Sequence, residues 1–301
     1  MKKKSLFLVL TLACKNKELF NKYTNQIIKI LNSNNLVIEK SKKLDEKVED
    51  FFFNVTNKNI IKKFNKIFSG KDFLKADICV QENKYRKKKI IACDMDMTAI
   101  NEETINMIGE KILKNNKINL ITEKAMSGKI KFQNSIIFRT KLLKGIMKSK
   151  ILGLLKDITF TPGIKSVIKT MNFYGSHTML VTGGYNLIAE YVAKEIGFKE
   201  VICNTLQLEN NFVTGKLENE IIDKKKKLEY FRRSILKKRI KDVETLAVGD
   251  GDNDIYMIKS ASLGIAWKAY PKVKTAADIS MNNDFENILY FQGYNKKQFI
   301  I

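Results

Sequence analysis

Two aspartates lie one residue apart directly after an apolar run, in the segment KKKIIACDMDMTAI over residues 87–100. The run Ile90–Cys93 is apolar throughout, which predicts a strand buried on both faces of a parallel sheet. Because side chains alternate along a strand, Asp94 and Asp96 should point the same way. Two like charges at the end of a buried strand are costly, so the pair indicates a functional site.

From residue 88 onward, short apolar runs alternate with helical patterns, which predicts an α/β fold with a doubly wound parallel sheet. Residues 102–158 interrupt this alternation with an almost entirely helical pattern, so we expect them to form an inserted cap. The runs TMLVTGG, VICN and TLAVGDG then end in polar or glycine-rich turns. Ligands of parallel sheets bind beyond the carboxyl ends of the strands. We therefore expect one site built from three strand ends: Asp94 with Asp96, Thr182-Gly183-Gly184, and residues 250–254.

The first 84 residues have a different pattern, with the order βαββαβ. We predict helices over 17–33 and 57–70, and strands over 5–13, 35–41, 47–56 and 73–81. This order predicts a small ferredoxin-like (ACT-like) α+β module over residues 1–84, a type of module that binds amino acids or pairs subunits. The polar run ENKYRKKK over 82–89 is typical of a linker, so we expect the second domain to cover 85–301.

The N-terminus allows two interpretations. The segment MKKKSLFLVLTLAC resembles a lipoprotein signal, but Thr11 stands where such signals prefer an aliphatic residue. We favour a strand, because the βαββαβ order needs it. No apolar run in the sequence approaches the length of a membrane span.

A formal net charge of +23 raises the question of a nucleic-acid partner. Only five of the 55 basic residues are arginine, and the lysines are spread along the whole chain. Nucleic-acid-binding proteins usually cluster their basic residues and use arginine for bidentate contacts, so we expect neither a nucleic-acid nor a membrane partner. The four cysteines show no C-x-x-C spacing, which favours reduced thiols in a cytoplasmic protein. The single histidine, His177, is predicted to be a structural strand residue.

Carboxylates, a hydroxyl group and glycine backbone at one sheet edge suit phosphoryl chemistry. Clustered carboxylates repel one another, and Mg²⁺, which binds a few protein oxygens plus phosphate, relieves that repulsion. Backbone N–H groups of a Thr-Gly-Gly turn suit phosphate oxygens. One carboxylate can attack phosphorus while its neighbour transfers the proton. Each element alone also has a structural explanation: an aspartate pair can cap a helix, Thr-Gly-Gly is a common turn, and an acidic loop can be calcium-like.

Together these motifs resemble the haloacid dehalogenase (HAD) superfamily of phosphatases. DMDMT matches its D-x-D-x-T signature, and Thr182-Gly183, the lysines of DKKKK and the acidic loop GDGDND follow in the family's order. Within the superfamily, the chain resembles the enzymes that hydrolyse phosphoserine, because NEETINMIGE carries Glu103 at the substrate position. The segment EKAMSGKIKFQNSIIFRTKLL resembles their cap, with four residues in register: Met126, Phe132, Ser135 and Arg139.

The resemblance implies a role for each matching residue. Asp94 would be the nucleophile that forms an aspartyl-phosphate, and Asp96 would protonate the leaving oxygen and then activate water. Mg²⁺ would be bound by the carboxylates of Asp94 and Asp250 and by the backbone carbonyl of Asp96. Glu103 would bind the ammonium group of the substrate, and Arg139 its carboxylate. The groups implied to bind the phosphoryl group are Thr182, Gly183, Lys227 and Asn253.

Lys227 is selected among lysines 224–227 by the register counted from Thr214-Gly215, and the charge of Asp252 in the acidic loop is unexplained. The implied activity is Mg²⁺-dependent hydrolysis of O-phospho-L-serine, the last step of serine biosynthesis, with a homodimer left open. Three alternatives stay open. One is a related enzyme that uses another phosphomonoester or another acceptor alcohol. The second is a regulatory amino-acid-binding protein whose second domain is a dead enzyme. The third is a basic nucleic-acid-binding protein, which salt-dependent retention on DNA would support.

Overall fold

The computed structural model describes residues 5–114, 118, 120–121 and 130–301. Its strands are β1 (Leu6–Cys14), β2 (Lys40–Asp45), β3 (Val48–Val55), β4 (Ala76–Glu82), β5 (Ile90–Cys93), β6 (His177–Tyr185), β7 (Glu200–Asn204), β8 (Leu206–Glu209), β9 (Phe212–Leu217), β10 (Thr245–Gly249), β11 (Leu263–Trp267) and β12 (Ile279–Met281). Its α-helices are α1 (Lys17–Ser33), α2 (Asn59–Phe68), α3 (Thr104–Ile108), α4 (Phe132–Leu142), α5 (Lys148–Leu152), α6 (Ile164–Phe173), α7 (Asn186–Ile196), α8 (Lys224–Lys237), α9 (Ile255–Ser260), α10 (Pro271–Ala276) and α11 (Asn287–Phe291).

The first four strands form an antiparallel sheet in the order β2-β3-β1-β4. Alternation along β1 points Leu8, Leu10 and Leu12 at one face, where they share a hydrophobic core with α1 and α2. Helix α1 begins after Asn16, whose side chain accepts the backbone N–H of Leu19. The predicted βαββαβ order is present, and the N-terminal segment is a strand of this sheet.

Strand β2 lies further along the chain than predicted, at Lys40–Asp45 instead of 35–41. The apolar side chains of Leu36 and Ile38 misled the prediction, because they pack against the first core from the connection before the strand. The strand itself has the polar sequence KSKKLD and pairs with β3 at the edge of the sheet. A polar edge strand of this kind lacks the apolar alternation on which the prediction relied.

The other face of the N-terminal sheet packs against the second part of the chain. Ala13 and Cys79 belong to the same hydrophobic core as the second sheet. Arg86 forms a buried bidentate ion pair with Asp50, at 2.7 and 3.0 Å, and donates to the carbonyl of Phe291 at 3.1 Å. The polar run over residues 82–89 connects the two parts, and its Arg86 also supplies buried contacts between them.

The second sheet is parallel throughout, with the order β12-β11-β10-β5-β6-β7. Ile91 and Cys93 face one core, shared with α6 and α7, whereas Ile90 and Ala92 face the other, shared with α8 and α9. Both faces are covered by helices, which confirms the doubly wound α/β class. Strand β5 lies between β10 and β6, so the carboxyl ends of these three strands are adjacent.

Between β5 and β6, the described residues include helices α3, α4 and α5, as a helical insertion requires. Met126 and the side chain of Phe132 lie outside the described part of the chain.

His177 begins β6, and its ring lies 2.6 Å from the Glu200 carboxylate, which agrees with a structural role. All four cysteines are free thiols. In the described ranges, no helix combines the length and the apolar character that crossing a membrane requires.

Candidate active site

Asp94 follows the last residue of β5, in the middle of the second sheet. Its backbone N–H donates to the carbonyl of Val248 in β10 at 3.0 Å, and its side chain is almost fully buried. After Asp94 the strand does not continue, because Met95–Ala99 form a helical turn in which Met97 has a φ of 55°. The prediction that strand alternation aligns Asp94 with Asp96 is therefore wrong. A turn, and not the pleat of a strand, places the second aspartate.

Lys227 lies in the first turn of α8 and is completely buried. The helix begins after Asp223, whose side chain caps it. The Nζ atom of Lys227 donates to Oδ1 of Asp94 at 2.5 Å and to Oδ1 of Asp254 at 2.7 Å. Burial lowers the pKa of Lys227, but the carboxylates of Asp254 and Asp94 outweigh burial and raise it above its ordinary value. Lys227 therefore provides a fixed positive charge next to the Asp94 carboxylate.

Carboxylate oxygens of Asp94, Asp250 and Asp254 lie within 4.8 Å of one another, and we call these three residues the acidic cluster. Burial, followed by the charge of Asp94, raises the pKa of Asp250 to about 8 and that of Asp254 to about 7. Thr98 donates to Asp250 at 3.2 Å and holds it against the turn after β5. Three carboxylates this close together fit a hard divalent cation, because its positive charge would favour their ionised forms.

The sequence places Asp254 in the acidic loop of the expected site but assigns it no role. The motif GDGDND contains it, but the sequence shows no distance between Asp254 and Lys227. Its Oδ2 atom also accepts the backbone N–H of Gly251 at 3.1 Å, so the same carboxylate orders the acidic loop and holds the lysine. Asn253, the preceding residue, is half-buried, and its side chain lies close over Gly251.

The unexplained charge of Asp252 has a structural account. Its side chain is exposed and forms ion pairs with Lys272 and, at 3.3 Å, with Lys224. Hydrogen bonds from Lys272 and Lys224 lower the pKa of Asp252 below its ordinary value. Asp252 is thus neutralised by surface lysines, whereas Asp254, two residues later, is buried in the acidic cluster.

Asp96 and Glu103 flank the start of α3. The carboxylate of Asp96 accepts the backbone N–H of Thr104 at 2.8 Å. Burial and the charge of Asp94 raise the pKa of Asp96 to about 6, so its protonated and ionised forms are both accessible near neutral pH. Burial, Asp96 and Asp94 raise the pKa of Glu103 to about 8, and Arg139 acts in the opposite direction. Glu103 therefore interacts electrostatically with both aspartates and with Arg139.

Arg139 lies on helix α4 and is buried. Its Nε atom donates to the carbonyl of Ser135, one turn earlier, at 3.3 Å. Burial lowers the pKa of Arg139, while Tyr185 and Glu103 act to raise it. The hydroxyl group of Ser135 is buried and has no hydrogen-bond partner among the described residues.

Tyr185 is a residue that sequence reasoning missed. The hydroxyl of Thr140, next to Arg139, donates to the carbonyl of Ile136 at 2.8 Å. Its oxygen can therefore accept the hydroxyl of Tyr185, which lies 2.9 Å away. Tyr185 ends β6, so this buried hydrogen bond joins the second sheet to the helix that carries Arg139.

Thr182–Gly184 lie within β6, where the pairing with β7 is irregular between Val181 and Tyr185, and we call this segment the Thr182 turn. It lies beside the turn at Asp96. Oγ1 of Thr182 accepts the backbone N–H of Gly184 at 2.8 Å. A Cβ atom at Gly184 would lie 2.8 Å from Cε of Met95 and 3.3 Å from Oδ2 of Asp96. Glycine is needed here because the backbone approaches the aspartate turn too closely for a side chain. Thr182 and Gly183 therefore lie at the carboxyl end of the second sheet, next to the turn that carries Asp96.

Comparison with known proteins agrees with this geometry. The phosphoserine phosphatase of Lactococcus lactis is 36% identical over 202 residues, which are 67% of this chain and 93% of that protein. A solved structure described as a phospho-aspartyl intermediate analogue of phosphoserine phosphatase is 34% identical, has a TM-score of 0.63, and covers 68% of this chain and 99% of its own.

Another solved structure, a HAD family hydrolase of Salmonella enterica, is 22% identical with a TM-score of 0.81. It covers 94% of this chain and 98% of its own, so it shares the fold of both parts. The family model described as haloacid dehalogenase-like hydrolase matches residues 91–259, the range that contains the acidic cluster, Lys227 and the Thr182 turn. The chain belongs to the haloacid dehalogenase-like hydrolase family.

Proposed function

We propose that this chain is a phosphoserine phosphatase, which hydrolyses O-phospho-L-serine to L-serine and inorganic phosphate. One observation carries the proposal. The buried carboxylate of Asp94, held by Lys227, shares its site with Glu103 and Arg139. A carboxyl group and a guanidinium beside a nucleophile suit the ammonium and carboxylate ends of an amino acid. The Lactococcus lactis relative and the solved intermediate-analogue structure bear this activity in their names.

We propose Mg²⁺ as the metal, held by the carboxylates of Asp94 and Asp250 and by the backbone carbonyl of Asp96. When bound, it would neutralise charge on the phosphoryl oxygens and on the acidic cluster. Asp254, the third member of the cluster, holds Lys227 beside the same phosphoryl group. The raised pKa values of Asp250 and Asp254 support a cation here, because they report carboxylates that lack sufficient counter-charge.

In the first chemical step, a carboxylate oxygen of Asp94 attacks phosphorus, and the bond between phosphorus and the serine oxygen breaks. Asp96 gives its proton to that oxygen, so that L-serine leaves neutral at its hydroxyl. A carboxyl group whose pKa is raised to about 6 is suited to this role, since part of it is protonated near neutral pH. Lys227, together with Thr182, Gly183 and Asn253, binds the transferred phosphoryl group.

In the second step, water attacks the aspartyl-phosphate, and the bond between phosphorus and the Asp94 oxygen breaks. Asp96, now ionised, accepts a proton from this water and returns to its starting state. The products are inorganic phosphate and the regenerated Asp94 carboxylate. The same carboxyl group thus acts first as an acid and then as a base, which accounts for the aspartate pair.

Substrate recognition is assigned to Glu103 and Arg139. The ammonium group of phosphoserine would supply the positive charge that Glu103 lacks, and would lower the raised pKa of that carboxyl group. The guanidinium of Arg139 offers a planar fork of donors for the substrate carboxylate.

We further infer a cytoplasmic enzyme that catalyses the last step of serine biosynthesis, on the ground of the four free thiols and the proposed product. Residues 1–84 form its ferredoxin-like domain, and 85–301 form its phosphatase domain, with a cap over about 102–158.

Phosphate release tests the proposal directly. We would compare O-phospho-L-serine with O-phosphoethanolamine, which lacks the carboxylate, and 3-phosphooxypropionate, which lacks the ammonium group, each with Mg²⁺ and with a chelator. We expect kcat/KM for phosphoserine to exceed both others by about 100-fold, and the chelator to abolish release. Equal or faster release from another ester would favour the related-enzyme alternative. No release from any ester would favour the regulatory protein with a dead enzyme domain.

A further inference from the structure

Asn204 ends β7 and is completely buried. Both ends of its side-chain amide are used. The Nδ2 atom donates to the carbonyl of Gly183 at 2.7 Å, and Oδ1 accepts the backbone N–H of Ile222 at 2.9 Å. These partners lie 21 and 18 residues away along the chain, the first in β6 and the second in the loop before α8. The side chain therefore bridges two segments that the sequence keeps apart.

Each of the two segments carries a group proposed to bind phosphate. Gly183 follows Thr182 in the turn beside Asp96. Ile222 is buried and directly precedes Asp223, the residue that caps α8 and so sets the position of Lys227. The amide of Asn204 thus spans from the Thr182 turn to the start of the lysine helix.

The sheet itself explains why a side chain is needed at this point. Strands β6 and β7 pair as far as Val181 with Ile202 and then shift register before Tyr185 pairs with Asn204. The residues between Val181 and Tyr185 leave the regular ladder, and the carbonyl of Gly183 is bound by the Asn204 amide. Without this amide, the part-buried carbonyl of Gly183 and the buried N–H of Ile222 would both lose their partner.

We propose that Asn204 is a positioning residue for phosphoryl binding, which fixes the Thr182–Gly183 turn relative to the helix that carries Lys227. The inference rests on the proposed function and extends it to a residue that touches neither substrate nor metal. Asparagine is chemically specific here, because the site needs one donor and one acceptor on one short side chain. Aspartate would keep the bond to Ile222 but would place a carboxylate against the carbonyl of Gly183.

Asn219 provides a matched control. Its amide also binds two backbone groups, accepting the N–H of Thr205 at 3.0 Å and donating to the carbonyl of Cys203 at 2.9 Å. It ties the same loop region but is exposed and reaches neither Gly183 nor Ile222. Loosening of the loop alone should therefore affect variants of Asn204 and of Asn219 alike. Misplacement of the groups that bind phosphate should affect only the Asn204 variants.

The test compares Asn204→Asp, Asn204→Ala and Asn219→Ala in the full chain with Mg²⁺ present. Binding of inorganic phosphate is measured by calorimetry, and Tm is measured by circular dichroism. The kcat/KM values on phosphoserine and phosphoethanolamine are measured from initial rates of phosphate release. We expect both Asn204 variants to bind phosphate about 10- to 100-fold more weakly. They should lose a similar factor in kcat/KM on both esters, because the defect lies at the phosphoryl end. Asn219→Ala should stay within about threefold of the unchanged protein in phosphate binding.

Folded Asn204→Asp or Asn204→Ala protein with phosphate affinity within threefold of the unchanged chain would overturn the inference. An equal loss of phosphate affinity in Asn219→Ala would also overturn it, as would a loss that follows Tm in all three variants. If the alanine variant fails to fold, the aspartate variant, which keeps one of the two bonds, decides the outcome. The proposed function is judged separately, because phosphate binding is measured without substrate: an unchanged chain that binds phosphate but does not hydrolyse phosphoserine would refute only that function.

Discussion

The ammonium group of Lys227 lies 2.7 Å from Oδ1 of Asp254, and both side chains are completely buried. Because Lys227 also contacts Asp94, the carboxylate of Asp254 helps to hold a positive charge at the proposed nucleophile. The same loop carries Asp252 at the surface, paired with Lys224 and Lys272. Asp252 is therefore exposed and Asp254 is buried, although they lie two residues apart. The same substitution, aspartate to asparagine, can be compared at both positions.

Asp254→Asn should lower kcat/KM by about 100-fold or more, because Lys227 loses one of its two anionic partners. The loss should be similar for phosphoserine and phosphoethanolamine, since the phosphoryl end is common to both. Asp252→Asn should change kcat/KM by less than about threefold, as expected for an exposed ion pair. Initial rates of phosphate release measure both variants, and equal damage by the two changes would contradict the assignment of Asp254.

Replacement of Arg139 should change substrate selectivity. Arg139→Ala leaves the substrate carboxylate without its donors, so we expect a loss of about 2–4 kcal/mol in kcat/KM for phosphoserine. For phosphoethanolamine, which has no carboxylate, the loss should stay below about tenfold, or 1.4 kcal/mol. Arg139→Lys should restore only part of the activity, because lysine lacks the planar fork.

Tyr185→Phe is the smaller companion change, because it removes only the hydroxyl that binds Thr140 beside Arg139. It should lower kcat/KM for phosphoserine more than for phosphoethanolamine, by up to about tenfold. Equal losses on both esters in the Arg139 variants would mean that Arg139 supports helix α4 and does not read the substrate.

The N-terminal domain should not be removable. Arg86 binds Asp50 in that domain and the carbonyls of Tyr290 and Phe291 in the other. Asp77, completely buried, accepts four hydrogen bonds from residues 282–287. A chain that starts near Glu82 would leave these groups unpaired and expose the shared core.

We expect the chain that starts near Glu82 to be insoluble or unfolded. We expect Arg86→Ala to lower the free energy of unfolding by about 3–5 kcal/mol, because the buried Asp50 carboxylate loses its partner. Urea unfolding followed by circular dichroism measures both. A shortened chain that unfolds cooperatively with the Tm of the full chain would show that the interface is dispensable.

Lys88 should make stability depend on pH. It is buried, and its Nζ atom donates to two backbone carbonyls and the hydroxyl of Ser262. Burial lowers the pKa of Lys88 from 10.5 to about 8. Between these two pH values the unfolded chain binds a proton at Lys88 that the folded chain does not bind, so the free energy of unfolding should rise with pH there.

The comparison with Lys88→Met isolates this contribution. The difference in free energy of unfolding, unchanged chain minus variant, should increase by about 3 kcal/mol from pH 8 to pH 10.5. Below pH 8 the difference should be nearly constant, because Lys88 is then charged in both states. A difference that stays flat across the whole window would show that burial does not perturb this lysine.

How well the sequence predicts a feature depends on how far apart along the chain the contacting residues lie. Asp94, Thr182 and Asp250 were placed together because each follows an apolar run, and parallel strands bring their carboxyl ends to one edge. The sequence does not predict the buried contacts of Arg86, because its partners, Asp50 and Phe291, are 36 and 205 residues away. No periodicity of sequence reports contacts of that range.

Two further residues of the site could not be predicted for the same reason, the long range of their contacts. Asn204 and Tyr185 act through buried hydrogen bonds to Gly183, Ile222 and Thr140, and a polar residue at a strand end looks the same with or without such partners. The turn at Asp96 was also missed, because it depends on a positive φ at Met97, a residue without the turn preference of glycine.

The central claim is that Asp94 takes the phosphoryl group of phosphoserine covalently. The direct measurement is to mix the protein with O-phospho-L-serine and Mg²⁺, quench with acid within one turnover, and locate the phosphoryl group by mass spectrometry of the peptides. We expect the phosphoryl group on Asp94. The Asp94→Asn variant should give no phosphorylated peptide, and its turnover should be lower by at least about 10³-fold. Rapid turnover without a phosphorylated Asp94, or phosphoserine turnover by Asp94→Asn near that of the unchanged chain, would contradict the account.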